Sequence, residues 1–174
     1  MNSEIVITAV GPDRPGLVDE LTGALHERRA NIADSRMVNL RGRFAVILLV
    51  ELPDESVDAM RGDLPQIGDR IGLDISIAPQ TASADAINGI PYRLRTYAMD
   101  QPGIVHSITH VLHAQGVNIE ELQTRLEPGS VSGTPLFTME LRMVVPTGVQ
   151  FPTLRRELET LCDRLNCDVD LEPA

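Results

Sequence analysis

One six-residue phrase occurs twice in this chain: Asp13-Arg14-Pro15-Gly16-Leu17-Val18 returns as Asp100-Gln101-Pro102-Gly103-Ile104-Val105. The Asn31-Ile32 that follows the first returns as Asn118-Ile119, and both repeats share an offset of 87 residues in a chain of 174. The chain therefore reads as two successive copies of one unit, each large enough for a small domain. In both copies the phrase stands after an apolar run and before an amphipathic pattern. Pro and Gly in that position build a turn whose following backbone N–H groups have no partner inside the helix, so the repeat suggests two copies of one small-ligand pocket.

The first copy reads βαββαβ. Ile5 to Val10 is short, β-branched and bounded by Gly11-Pro12, which predicts a buried strand. Leu17, Val18, Leu21, Ala24 and Leu25 recur at helical spacing as far as Arg29. Ile32 to Leu40 and Phe44 to Val50 follow as strands around an Arg41-Gly42-Arg43 turn. Glu55 to Ile71 predicts a second helix interrupted or kinked near Pro65 and Gly68, and Leu73 to Ile77 predicts the fourth strand.

The second copy repeats this order. Tyr92 to Met99, Ile119 to Leu126, Leu136 to Val145 and Asp168 to Leu171 read as strands, with helices at Ile104 to Gln115 and Thr153 to Leu165. Phe44 and Phe137 correspond at an offset of 93, so the second hairpin carries six extra residues within a Gly- and Ser-rich insertion, Glu127 to Thr134. The expected architecture is α+β: two ferredoxin-like sandwiches over 1–79 and 92–174, joined by an 80–91 linker of small and polar residues. In such a unit both helices cover one sheet face. The copies, or two chains, are then expected to pack through sheet edges or open faces.

Composition narrows the function classes. With 25 acidic against 15 basic side chains the formal charge is −10, opposing the counterion release that drives binding to nucleic acid. The five aromatic residues, Phe44, Tyr92, Tyr97, Phe137 and Phe151, are too few for a base-stacking platform. No apolar run approaches the roughly 18 residues of a membrane span, and the N-terminal segment lacks a basic signal-type start, so a cytoplasmic protein with no direct membrane or nucleic-acid partner is expected. Cys162 and Cys167 are expected to be reduced structural thiols.

At the repeated turn, the N–H groups of Gly16, Leu17 and Val18 could hold a carboxylate while Asp13 accepts from an ammonium group, a combination that suits an amino acid; Asp100, Gly103, Ile104 and Val105 offer the same set. Asp13 and Asp100 could instead simply cap their helices, with Pro15 and Pro102 presetting the turn. Asn31 and Asn118 either face a ligand or occupy the left-handed conformation that ends a helix. His106, His110 and His113 share one helical face opposite Ile104, Ile108, Val111 and Leu112, which suits a solvent or partner surface better than a metal site. Arg14, Arg36, Arg41 and Arg43 are the alternative anion site of a small hydrolase. No nucleophile–base constellation, phosphate loop or Cys-x-x-Cys motif is present, so no cofactor, metal or catalytic residue is expected.

These residues resemble the ACT domain family: a strand, then Asp13-Arg14-Pro15-Gly16-Leu17-Val18 opening a helix, then Ala30-Asn31-Ile32-Ala33-Asp34-Ser35-Arg36-Met37 entering the second strand. Ile7 to Gly16 together with Asp34 to Met37 resemble the glycine cleavage system transcriptional repressor family in particular. The resemblance implies a non-enzymatic regulator in which paired domains bind small amino acids, glycine being the candidate, and which acts through a protein partner such as a DNA-binding activator. It implies ligand contacts at Asp13 and Asn31, and at Asp100 and Asn118, in a homodimer built by packing of these domains. Some members carry His two residues before the acidic position, where this chain has Gly11 and Ala98. An accessory subunit without ligand binding and a ferredoxin-like hydrolase are the alternatives.

Overall fold

The computed structural model describes residues 2–80, 88–128 and 135–174, which fall into two compact units, Met1–Ala84 and Asp85–Ala174. The first contains β1 (Asn2–Pro12), α1 (Leu17–His26), β2 (Asn31–Leu40), β3 (Arg43–Pro53), a 3-10 turn (Asp54–Ser56), α2 (Val57–Ile71) and β4 (Asp74–Pro79). All its strand pairs are antiparallel, in the order β2-β3-β1-β4. Alternation along the central strands decides the layers. Ile5, Ile7 and Ala9 of β1 and Val46, Leu48, Val50 and Leu52 of β3 are buried against Leu17, Leu21, Ala24 and Leu25 of α1 and Met60, Leu64, Ile67 and Ile71 of α2.

The second unit repeats the plan with β5 (Gly89–Met99), α3 (Ile104–Ala114), β6 (Asn118–Pro128), β7 (Pro135–Pro146), α4 (Phe151–Arg164) and β8 (Cys167–Pro173), in the order β6-β7-β5-β8. Its core joins Leu94, Met139, Leu141, Met143 and Val145 to Ile104, Ile108, Leu112, Leu154, Leu158 and Leu161. Tyr92 stacks on Phe151 with ring centroids 4.0 Å apart, and the Arg155 guanidinium lies over the same ring. Both second strands carry an irregularity at the same relative place, between Ile32 and Asp34 and between Ile119 and Glu121. The tandem α+β architecture is as expected.

Three local expectations change. α2 runs without a break through Pro65, because the buried stripe Met60, Leu64, Ile67 and Ile71 holds the helix on the sheet despite the lost backbone hydrogen bond. β5 begins at Gly89, which pairs with Pro146, so residues 89–91 of the expected linker are sheet. Residues 81–87 of that linker and 129–134 of the hairpin insertion lie outside the described residues, whereas Glu127 and Pro128 continue β6. The left-handed conformation after α1 belongs to Arg29, with φ 58°, not to Asn31; the residue in that place in the second unit is Gly116.

Among the described residues Thr96 is the one buried polar side chain, and its Oγ1 has no hydrogen-bond partner there. The equivalent position in the first unit is Ala9. An unpaired buried hydroxyl costs on the order of 1 kcal/mol or more, whereas a methyl of the same shape costs nothing comparable. Thr96→Val is therefore expected to stabilise the second unit by about 1 kcal/mol, raising its melting temperature by roughly 4 to 8 °C in a calorimetric scan.

Candidate functional site

The turn that ends β1 is tied to the β2–β3 hairpin. The Asp13 N–H donates to the Gly42 carbonyl at 2.8 Å, the Asn39 side-chain amide donates to the Asp13 carboxylate, and the Asn39 Oδ1 accepts from the Gly42 N–H at 3.2 Å. Asp13 is thus held by a strand 26 positions away rather than by the helix it precedes. α1 starts instead at Gly16, whose φ of 89° lies in the left-handed region, and no side chain caps that start. Helix capping by Asp13 and Asp100 does not occur: Gly103, with φ 96°, takes the same place before α3, again without a side-chain cap. The first N–H groups of each helix, where the macrodipole is positive, are consequently left for another acceptor.

A groove of about 490 Å³ opens at this helix start, lined by Asp13, Arg14, Gly16, Leu17, Val18, Asp19, Thr22, Met37 and Phe44. It gathers Asp13 and the expected N–H donors, and adds an apolar floor of Met37 and Phe44. Arg14 is turned away from a free role. It donates to both Glu20 carboxylate oxygens, at 2.5 and 2.8 Å, and to the Ile71 carbonyl at the end of α2. That hydrogen bond holds the Glu20 carboxyl below its usual range and the guanidinium above its own. Gln101 performs the second half of this task in the other copy, donating to the Leu165 carbonyl just past α4. Both residues thus reach the end of the second helix.

The copies differ at the tie. The position equivalent to Asn39 is Leu126, which is exposed, and the Asp100 side chain has no hydrogen bond among the described residues. The groove beside α3, about 380 Å³, is lined by His106, Thr109, His110, His113, Val117 and Ile119. The three imidazoles are exposed there, His106 and His110 with ring centroids 5.9 Å apart, and no group of three potential metal ligands occurs among the described residues.

Asn31 is not brought to Asp13. It lies level with Glu51 and Glu4, whereas Asp13 follows Pro12, which pairs with Arg43, so the two sit at opposite ends of the sheet on the order of 25 Å apart. Asn118 likewise pairs with Val144 at the far end from Asp100. Position 11 faces the core: a Cβ on Gly11 would come 2.6 Å from the Gly72 carbonyl oxygen, so the local backbone has no room for His there. The four arginines of the alternative anion site do not converge either. Arg14 is at the α1 groove, while Arg36 bonds Asp34 at 2.6 Å in a separate depression with Val6, Ser35, Ile47 and Leu49. Asn39, the residue that orients Asp13, is not signalled by the helix-start motif. Its only signal in the sequence is its place three residues before Gly42 in the hairpin.

Known proteins share the sequence pattern and the fold. The ACT domain family model matches residues 3–78. The glycine cleavage system transcriptional repressor of Escherichia coli (strain K12) is 26% identical over 162 residues, covering 93% of this chain and 85% of that protein. A UPF0237 protein of Methanopyrus kandleri is 39% identical over 74 residues, 41% of this chain and 82% of its own. Among solved structures, that of an unknown protein from Galdieria sulphuraria has a TM-score of 0.83 and 31% identity, covering 100% of this chain and 99% of that one.

The two thiols are free and buried, away from both grooves. Burial first, then the neighbouring Cys167 and Asp163, pushes the Cys162 thiol from 9.0 up to about 11, and burial and Asp168 raise Cys167 as well. A thiol whose folded pKa is raised keeps its proton in the native state after the unfolded chain has lost it. Stability is therefore expected to hold below about pH 9 and to fall as pH rises from 9 toward 11. Iodoacetamide at pH 8 should modify neither cysteine until the fold is opened with denaturant, which intact-mass measurement checks.

Proposed function

The chain belongs to the ACT domain family, and from that premise we propose that it is a non-enzymatic regulator whose first unit binds a small amino acid, glycine being the candidate. The observation that carries this reading is the uncapped start of α1 beside an oriented carboxylate. The ligand carboxylate takes the N–H groups of Gly16, Leu17 and Val18, and its ammonium group takes Asp13, which lines the groove.

Asn31 enters this scheme only from a second chain. β2 is a ten-residue edge strand with one side free of a neighbouring strand, the Ser35 N–H and C=O there being taken by the Asp34 and Arg36 side chains, and with Met37, Val38 and Leu40 exposed along it. Pairing of two such edges in a homodimer would set the Asn31 end of one sheet beside the Asp13 end of the other. The second unit keeps Asp100, Gly103, Ile104, Val105 and Asn118 but lacks the Asn39 tie, so it serves contact or modulation rather than primary sensing.

Glycine has five heavy atoms, so a ceiling of about 1.5 kcal/mol per atom limits binding to about 7.5 kcal/mol, a micromolar dissociation constant at best. Occupancy would be passed to a protein partner, such as the DNA-binding activator of a repressor system, through a coupling of about 1 to 3 kcal/mol. Asn39→Leu installs the residue of the second copy on an exposed edge and tests the assignment. Titration calorimetry of the full chain with glycine, L-alanine and L-serine should show binding between about 10 µM and 1 mM, weakened at least tenfold by Asn39→Leu. No heat with any of the three, or unchanged affinity in the variant, would contradict the reading.

A further inference from the structure

The two units share their buried faces and differ on their open ones. On the first sheet the open face centres on Val6, Thr8 and Val10 of β1, Ala45, Ile47 and Leu49 of β3, and Val38 of β2, with Asp34 and Arg36 of β2 and Ser76 of β4 beside them. The equivalent positions on the second sheet are Arg93, Arg95 and Tyr97 of β5, Thr138, Glu140 and Arg142 of β7, and Arg125 of β6. Solvent exposure explains polarity there, and the antiparallel register sets those side chains in cross-strand rows.

Two adjacent cross-strand rows form a depression of about 160 Å³. One row is Arg125, Thr138 and Tyr97, a guanidinium and two hydroxyls; the next is Gln123, Glu140 and Arg95. Charges in the surrounding lattice are mutually satisfied except at one place. Arg93 and Arg95 share Glu140 and Glu172 through contacts of 3.3 to 3.5 Å, and Arg142 faces Glu120 and Glu121. Arg125 has no carboxylate partner among the described residues. Glu140 uses only Oε1 toward the two arginines, leaving Oε2 as an acceptor at the depression.

Rows two residues apart along a strand are separated by about 7 Å. The carboxylate and ammonium groups of one α-amino acid, each at hydrogen-bonding distance from its partner, span that gap. We propose that the open face of the second sheet is a binding site for a small α-amino acid, its carboxylate on Arg125, Thr138 and Tyr97 and its ammonium group on Glu140. The site rests on the reading above only for its class of ligand, since no residue is shared with the groove at α1.

Backbone amide NMR of the full chain, titrated with glycine, L-serine and, separately, acetate, tests this. Shifts are expected at Gln123, Arg125 and Thr138 with the amino acids, with acetate binding at least tenfold more weakly. Arg125→Met should weaken the amino-acid response at these amides at least tenfold, as should Glu140→Gln, which leaves Arg125 in place. Both residues are exposed, so either variant keeps the fold. Gly16→Ala should leave the sheet response intact, which separates this site from the α1 groove. Absence of shifts on the sheet, persistence of them in Arg125→Met, or equal affinity for acetate would each overturn the proposal.

Discussion

Each half of this protein turns on one glycine held in the left-handed region. Gly16 and Gly103 carry the chain from the last residue of a central strand into the helical layer, with φ of 89° and 96°. A side chain at either place would bear a penalty of roughly 1 to 2 kcal/mol, although the space around Gly103 is open and that around Gly16 admits ordinary contact. Because the turn is made by backbone geometry, no Ser, Thr or Asp is needed as a cap. The helix starts therefore keep their N–H groups unclaimed, and the carboxylate that would otherwise serve them, Asp13, is held by Asn39 instead. Fold and candidate site share this one constraint.

Duplication preserved the layers and let the surfaces diverge. The residues that pack, Ile7 and Leu94 or Leu17 and Ile104, stay apolar in both copies, since any charge there would be buried without a partner. At positions facing solvent the copies part: Val6 becomes Arg93, Thr8 becomes Arg95, Ile47 becomes Glu140 and Asn39 becomes Leu126. The swap of Arg14 for Gln101 looks like a change of function from the motif alone. In space both side chains hold the end of the second helix, by Ile71 or Leu165, so the exchange is structural. The difference that separates the two helix starts is Asn39.

The order of elements was legible because hydrophobic periods of two and of three to four alternate clearly along the chain, and because Gly and Pro punctuate them. What the pattern could not supply was long-range. Nothing near Asp13 marks Asn39 as its partner, and nothing near Asn31 shows that antiparallel pairing sends it to the other end of the sheet. Local propensity also misplaced two details. Pro65 argued for a break that the buried stripe of α2 overrides, and Asn31 was a better left-handed candidate than Arg29, yet the chain turns at Arg29 because α1 ends at His26. Residue type alone cannot decide which position of a loop takes the left-handed conformation.

The central claim is that backbone N–H groups at the start of α1, and not those at the start of α3, receive a ligand carboxylate. Amide hydrogen exchange resolved at single residues, with and without saturating glycine, measures those groups directly. Exchange at Leu17 and Val18 should slow at least several-fold on addition of ligand while Ile104 and Val105 stay unchanged. Unaltered exchange at Leu17 and Val18 under saturation, or equal protection at both helix starts, would contradict the account.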